Sequence, residues 1–186
     1  ISAREEERHR QYPRFRAIDV GLLMLGVVSA DALALGPSVA VEGMLAPRFL
    51  ASLSLGWAGV PDFFGEGVRG RVQFVPLDLD LGYAIYHGNA IELSAWTGLT
   101  MGFAVYSAES SSGADPQRTD VLFEPGARAS LRVSFALAGP LFGYVRGGVM
   151  VPFVHDEIEN RGAAVYEASW IVPSFEVGLQ FKLRNF

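Results

Sequence analysis

The side chains with the clearest potential for chemistry are the carboxylates Asp78, Asp80 and Glu92. Asp78 and Asp80 are two positions apart, so in a β-strand they project from the same face, and Glu92 follows across a predicted turn. Two carboxylates held close together can act as general acid and general base. Such carboxylates more often pair with arginines in a structural network, and we expect that role here.

The other residue types that support catalysis or metal binding are scattered. His9, His87 and His155 lie far apart in different settings, which argues against a shared metal site. The sequence contains no cysteine, so it has no thiolate nucleophile or thiolate metal ligand. The glycines around Glu66 and at Gly147 lack the strand and helix that flank a phosphate-binding loop. These observations predict that the protein is not an enzyme and uses no cofactor.

From Pro13 onward, hydrophobic residues alternate with small or polar residues, which is the period of a β-strand. Comparable stretches run from Ile91 to Val105 and from Val121 to Phe135. Between Phe74 and Leu77 the alternation shifts by one residue, and we interpret Val75-Pro76 as a β-bulge. The pattern is clearest near the C-terminus, where the hydrophobic set is Phe175, Val177, Leu179, Phe181 and Leu183 and the opposite set is Glu176, Gly178, Gln180, Lys182 and Arg184.

The breaks between these stretches alternate in character. Three are short turns, at Ala46-Pro47, His87–Asn89 and Ala138–Pro140. The others are mostly longer and more polar: Ser29–Ala32, Val60–Gly67, Ala108–Arg118 and Asp156–Ala164. About eight strands with short turns on one rim and long loops on the other predict an all-β fold, a closed antiparallel transmembrane β-barrel with up-and-down topology.

Composition indicates whether the apolar face of each strand points outward or into the barrel. The chain is 50% hydrophobic and only 19% charged, and Lys182 is its single lysine. The longest apolar run, Val20–Ala30, is too short for a transmembrane helix. The minor strand faces are rich in Gly, Ala and Ser with a few charges, which suits a narrow lumen better than a wetted surface. A soluble lipocalin-like barrel, with its apolar face inward, is the alternative.

These faces define the candidate site residues. We expect Arg128, Arg132 and Arg146 to pair with carboxylates such as Asp78, Asp80 and Glu92, because an unpaired buried charge is costly. The predicted lumen charge network contains Asp78, Asp80, Glu92, Glu124, Arg128, Arg132, Arg146 and Glu176, and further interior candidates are Asp19, Glu42, Arg69 and Arg71. The residues predicted to face lipid are Val133, Phe135, Leu179 and Phe181.

The pattern resembles the small eight-stranded outer-membrane barrels of the OmpA membrane-domain and OmpX type. The resemblance covers about residues 13–186 and includes the terminal Phe186, which in that family helps the assembly machinery recognise the last strand. It implies a location in the outer membrane of a Gram-negative bacterium. We therefore divide the chain into a charged N-terminal tail, residues 1–12, and an outer-membrane β-barrel, residues 13–186.

Three functions remain open for such a barrel. The first is a structural scaffold or interaction partner of the cell envelope, with a lumen plugged by charge pairs and contacts through its loops or tail. The second is a narrow channel or transporter for small or apolar solutes. The third, a lipid-A hydrolase, would need a serine two residues after His155, where the chain has none. The expected partners are outer-membrane lipid, lipopolysaccharide and other envelope proteins. The net charge of −5 argues against nucleic acid.

Overall fold

The computed structural model describes residues 14–27, 32–65, 68–110, 118–154, 157–160, 163–167 and 170–183. All regular elements in these ranges are β-strands. They are β1 (Arg14–Val27), β2 (Ala32–Ala46), β3 (Phe49–Gly56), β4 (Ala58–Gly65), β5 (Val68–His87), β6 (Ile91–Ser110), β7 (Arg118–Ala138), β8 (Leu141–Pro152), β9 (Glu157–Asn160), β10 (Ala163–Glu167) and β11 (Val172–Lys182). None of the described residues forms a helix with the length and apolar character required to span a membrane.

The strands close into an eight-stranded barrel. Successive strands pair antiparallel, and the first strand closes the ring by pairing with the last, with Ile18 opposite Phe181. β3 and β4 together form one strand of the barrel wall, and β9 and β10 form a separate hairpin in the connection between β8 and β11. The predicted closed, antiparallel, up-and-down barrel is confirmed.

The interruption between β3 and β4 at Trp57 follows from prolines and a glycine. Pro76 on the neighbouring strand cannot donate a backbone hydrogen bond, and on the other side the Trp57 N–H donates to the Pro37 carbonyl at 2.9 Å. A Cβ on Gly36 would overlap with the carbonyl oxygen of Trp57, so only glycine permits this close approach.

The predicted β-bulge at Val75-Pro76 is wrong. The register between β5 and β6 runs without a shift from Val68 opposite Ser110 to Ala84 opposite Ser94, and the irregularity lies between Ala84 and Tyr86. Val72 is consequently buried inside the barrel, and Arg71, an interior candidate, is exposed. The apparent shift in alternation arises because the lumen itself is apolar at this level.

The predicted long loop Val60–Gly67 is also largely wrong. β4 continues to Gly65 and pairs with β5 up to Gly65 opposite Val68. The segment Asp156–Ala164 contains part of the β9–β10 hairpin. In the Ala108–Arg118 segment, β6 extends to Ser110 and β7 begins at Arg118. The tail, the side chains of Arg69 and His155, and Phe186 fall outside the described residues.

The outer surface of the barrel is apolar. Large hydrophobic side chains on every wall strand point outward and are exposed, and Val133, Phe135, Leu179 and Phe181 are among them. Charged side chains such as Asp80 and Arg132 lie inside and are almost completely buried. This orientation is the reverse of a soluble barrel and excludes that alternative, because such an exterior requires a lipid environment.

Candidate functional site

The lumen contains a network of buried charges on strands that are far apart in sequence. On one side, Arg128 forms an ion pair with Asp78, and its Nε lies 3.6 Å from Asp80 Oδ1. Arg146 Nη2 donates to Asp80 Oδ2 at 2.6 Å, and its Nε donates to the Ser130 hydroxyl at 2.8 Å. The alternation of β5, β7 and β8 aims these side chains inward at one level, so a compact carboxylate–guanidinium group results.

Arg132 occupies the centre of a second group of charges. It lies directly across the β7–β8 ladder from Arg146, where two like charges would repel each other without counter-charges. Arg132 Nη1 donates to Asp19 Oδ2 at 2.9 Å and also to the Glu42 carboxylate. This second group therefore joins β1 and β2 to β7 across the lumen.

Trp96 lies against both arginines. The Arg132 guanidinium carbon is 4.8 Å from the centroid of the indole ring, and that of Arg146 is 5.6 Å away. The indole is buried, and its N–H donates to the Ser94 hydroxyl at 2.8 Å. A Cβ at Gly82 would lie under 3 Å from this ring, so the indole also fills the space that a larger side chain would need.

Glu92 forms a third group at the short-turn rim. It pairs with Arg16, with Lys182 Nζ at 3.2 Å and with His87 Nδ1 at 2.8 Å. Lys182 also lies 3.8 Å from the centroid of the Phe142 ring. One carboxylate on β6 thus connects β1, β5 and β11 and covers the lumen at the end where the short turns lie.

The eight predicted network residues all lie on the inner face of the barrel. Asp78, Asp80, Arg128 and Arg146 come together. Arg132 and Glu92 take partners that the sequence analysis did not pair with them. Glu176 accepts hydrogen bonds from the Ser38 hydroxyl at 2.5 Å and the Tyr144 hydroxyl at 2.8 Å, and Glu124 is buried in the same interior.

Arg16 lies in the lumen, although the alternation of β1 does not predict it there. Strict alternation from Ile18 and Val20, which are exposed, would place Arg16 on the outer face as well. A register irregularity between Phe15 and Ala17 adds one residue to β1 relative to β2. This bulge turns Arg16 inward to Glu92. The sequence does contain a sign of this bulge, because Arg16 is charged at a position where the alternation requires an apolar residue.

An apolar layer fills the lumen nearer the long-loop rim. Its buried members are Leu23, Leu25, Ala34, Ala58, Val60 and Val72, and the partly buried Phe74, Leu122 and Val172 pack against them. The alternation predicted an interior of small and charged residues, without this apolar layer. The signal for it was the run from Val20 to Val27, which is apolar on both faces of β1. Above the charges, the lumen is therefore packed with hydrocarbon.

The described residues hold no group of three His, Asp or Glu side chains arranged to bind a metal ion. The charges instead neutralise one another across the lumen. The arrangement therefore acts electrostatically, because it holds buried side chains of both charge signs in fixed positions.

No protein-family model matches the sequence, and no curated protein matches it. Solved structures do. A major outer membrane protein from Thermus thermophilus has a TM-score of 0.68 and 15% identity, covering 91% of this chain and 99% of that one. The outer membrane protein OprG from Pseudomonas aeruginosa has a TM-score of 0.62 and 13% identity, covering 92% and 96%.

A third similar structure is Ail, the attachment invasion locus protein of Yersinia pestis, in complex with the heparin analogue sucrose octasulfate. It has a TM-score of 0.54 and 9% identity, covering 91% of this chain and 97% of that one. At such identities the similarity concerns the fold. Fold and apolar exterior together define an integral β-barrel protein of the bacterial outer membrane, the class and location that the sequence predicted.

Proposed function

We propose that this protein is a structural scaffold or interaction partner of the cell envelope, and that charge pairs plug its lumen. The observation that carries the proposal is the filling of the interior by two layers. The charged layer joins Arg132 and Arg146 to carboxylates from three other wall strands, and the apolar layer lies above it. A solute would have to displace both layers.

The energetics of the charged layer support a plug over a pore. Arg132 and Glu42 are 2% and 0% exposed, so each depends on its partner to replace water. Separating such a buried pair leaves an uncompensated charge, which costs about 3–5 kcal/mol. A conducting lumen would instead leave its charged side chains wetted, as in the wide porins.

We propose that the scaffold contacts its partners through the parts of the chain that lie outside the membrane. We assign residues 1–12 to a charged tail and residues 13–186 to the barrel, and we expect lipopolysaccharide and other envelope proteins as partners. The segments Ala108–Arg118 and Asp156–Ala164 are acidic in sequence. They favour a basic protein partner, or divalent cations bridging to lipopolysaccharide phosphates, over a polyanion such as the one bound by Ail.

Planar-bilayer conductance tests the proposal. The purified barrel should give no steady ion conductance. A variant that combines Trp96→Ala in the charged layer with Leu23→Ala and Leu25→Ala in the apolar layer should produce measurable openings, because it removes side chains from both layers. Leu99→Ala, a change on the exposed outer face, is the matched control and should stay closed. Steady conductance of the unaltered barrel, or uptake of small apolar solutes into vesicles that contain it, would replace the scaffold with the channel alternative.

A further inference from the structure

The turn between β2 and β3 holds an arginine in a strained backbone conformation. Ala46 pairs with Phe49, so Pro47 and Arg48 form a two-residue turn at the short-turn rim. The φ angle of Arg48 is 72°, which lies in the left-handed region. A proline followed by a left-handed residue is the pattern of a type II turn, in which the second central position normally takes glycine. An arginine is disfavoured there because its Cβ crowds the backbone.

The chain uses glycine where only the geometry of a turn matters. The turn between β7 and β8, at the same rim, has Gly139 as its left-handed residue, with a φ angle of 54°. In the β2–β3 turn, the Ala84 N–H of β5 donates to the Arg48 carbonyl at 2.8 Å, so the neighbouring strand holds the strained residue in place. A residue kept in such a conformation by its surroundings points to a use of its side chain.

The short-turn rim has a surplus of positive charge. The Arg48 side chain is exposed, and no carboxylate in the described part of the chain pairs with it. Glu92, the carboxylate at this rim, is buried and already shared by three basic groups: Arg16, Lys182 and His87. Among the described residues, one carboxylate therefore faces two arginines and a lysine at this end of the barrel. Such a rim favours an anionic ligand at the exposed arginine.

An aromatic pair lies next to Arg48 on the outer face of the barrel. Phe49 follows Arg48 in the chain and pairs with Tyr83, and their ring centroids are 5.3 Å apart in an edge-to-face arrangement. The two residues are 55% and 40% exposed. Aromatic rings at the end of the apolar exterior lie at the depth of the lipid headgroups. Arg48, one residue further towards the turn, is therefore at the level of the lipid phosphates, which a long arginine side chain can reach.

We propose that Arg48 binds the phosphate of an anionic phospholipid, whose glycerol and upper acyl chain lie against Phe49 and Tyr83. The short turns of outer-membrane barrels face the periplasm, so this lipid belongs to the inner, phospholipid leaflet. A guanidinium group forms paired hydrogen bonds with phosphate, and the surplus positive charge favours phosphatidylglycerol over zwitterionic phosphatidylethanolamine. Residues 1–12 contain three arginines and three glutamates, so they offer no surplus of negative charge to take the place of the lipid. The proposal rests on the membrane location alone and does not require a plugged lumen.

Native mass spectrometry of the whole barrel in detergent, titrated with each phospholipid, tests the site. The unaltered barrel should bind phosphatidylglycerol about tenfold more tightly than phosphatidylethanolamine. Arg48→Gly suits the left-handed conformation and should abolish this preference while stability in urea stays the same or rises. Asn89→Gly, a neutral change at an exposed position of another short turn, is the matched control and should keep the preference. An unchanged preference in Arg48→Gly would overturn the proposal.

A second measurement needs no variant and identifies the source of the phosphate. In bilayers that contain phosphatidylglycerol, ¹³C–³¹P solid-state NMR of the arginine-labelled barrel should place an arginine Cζ within roughly 4–5 Å of a lipid phosphorus, as paired hydrogen bonds require. Soluble glycerol phosphate should not remove this contact. The absence of the contact, or its displacement by glycerol phosphate, would overturn a lipid site. Conductance bears on the plug alone, so a conducting barrel that keeps the contact refutes only the plug.

Discussion

Replacing Arg132 by glutamine is the sharpest probe of the buried network. Arg132 is 2% exposed and donates to Asp19 at 2.9 Å and to Glu42, so the neutral variant leaves two buried carboxylates without their shared cation. Glutamine can hydrogen-bond to one of them but cannot neutralise either. The two carboxylates would then repel each other in a medium of low dielectric constant.

The expected loss is large compared with the stability of a small barrel. Removing one partner of a buried ion pair costs about 3–5 kcal/mol, and we expect Arg132→Gln to lower the free energy of unfolding by this amount. Removing the whole set of charges, with Asp19→Asn and Glu42→Gln added, should recover most of the loss, because no uncompensated charge remains. Arg71→Gln, on the exposed outer face of β5, should change stability by less than about 0.5 kcal/mol.

Urea titration of the barrel folded in lipid vesicles, followed by circular dichroism, measures these differences. A loss below about 1 kcal/mol for Arg132→Gln would refute the reasoning, since carboxylates that tolerate the missing cation must be hydrated or protonated. A triple variant no more stable than Arg132→Gln would show that hydrogen-bond geometry, and not charge balance, dominates the network.

Three further predictions use the same titration. Leu179→Arg places a charge on the outer face and should cost about 2–4 kcal/mol in vesicles; an unchanged refolding yield and stability would contradict lipid contact at this position. Gly98→Ala should cost about 1–3 kcal/mol, because its Cβ would overlap with backbone and side chain of Asp80, whereas Gly147→Ala meets no atom within 4 Å and should be neutral. Glu92→Gln leaves three basic groups at the short-turn rim without their carboxylate and should cost about 3 kcal/mol of stability. If the loss were smaller at high salt than at low salt, the cluster would be accessible to solvent and not buried.

Much of the fold could be predicted because alternation is a local property of the chain. The odd residues of β11 from Phe175 to Phe181 are exposed and apolar, and their neighbours Glu176 and Gln180 turn inward, as a strand requires. The alternation rule failed where an apolar residue faces the lumen and not the outside of the barrel. Val72 is apolar because it joins an apolar layer of the lumen, and the rule misread it as an outward residue on a shifted strand.

The sequence by itself determined that the chain closes on itself with a hydrophobic exterior and interior charges, because a period of two assigns each residue to one of two faces. Only the tertiary structure decided which charges meet. Arg132 contacts Asp19 and Glu42, which are 113 and 90 residues away in sequence, and Arg16 reaches Glu92 through a bulge. Register, bulges and ring closure set these pairings jointly across all eight wall strands, and a register change of one residue would redirect every side chain of a strand.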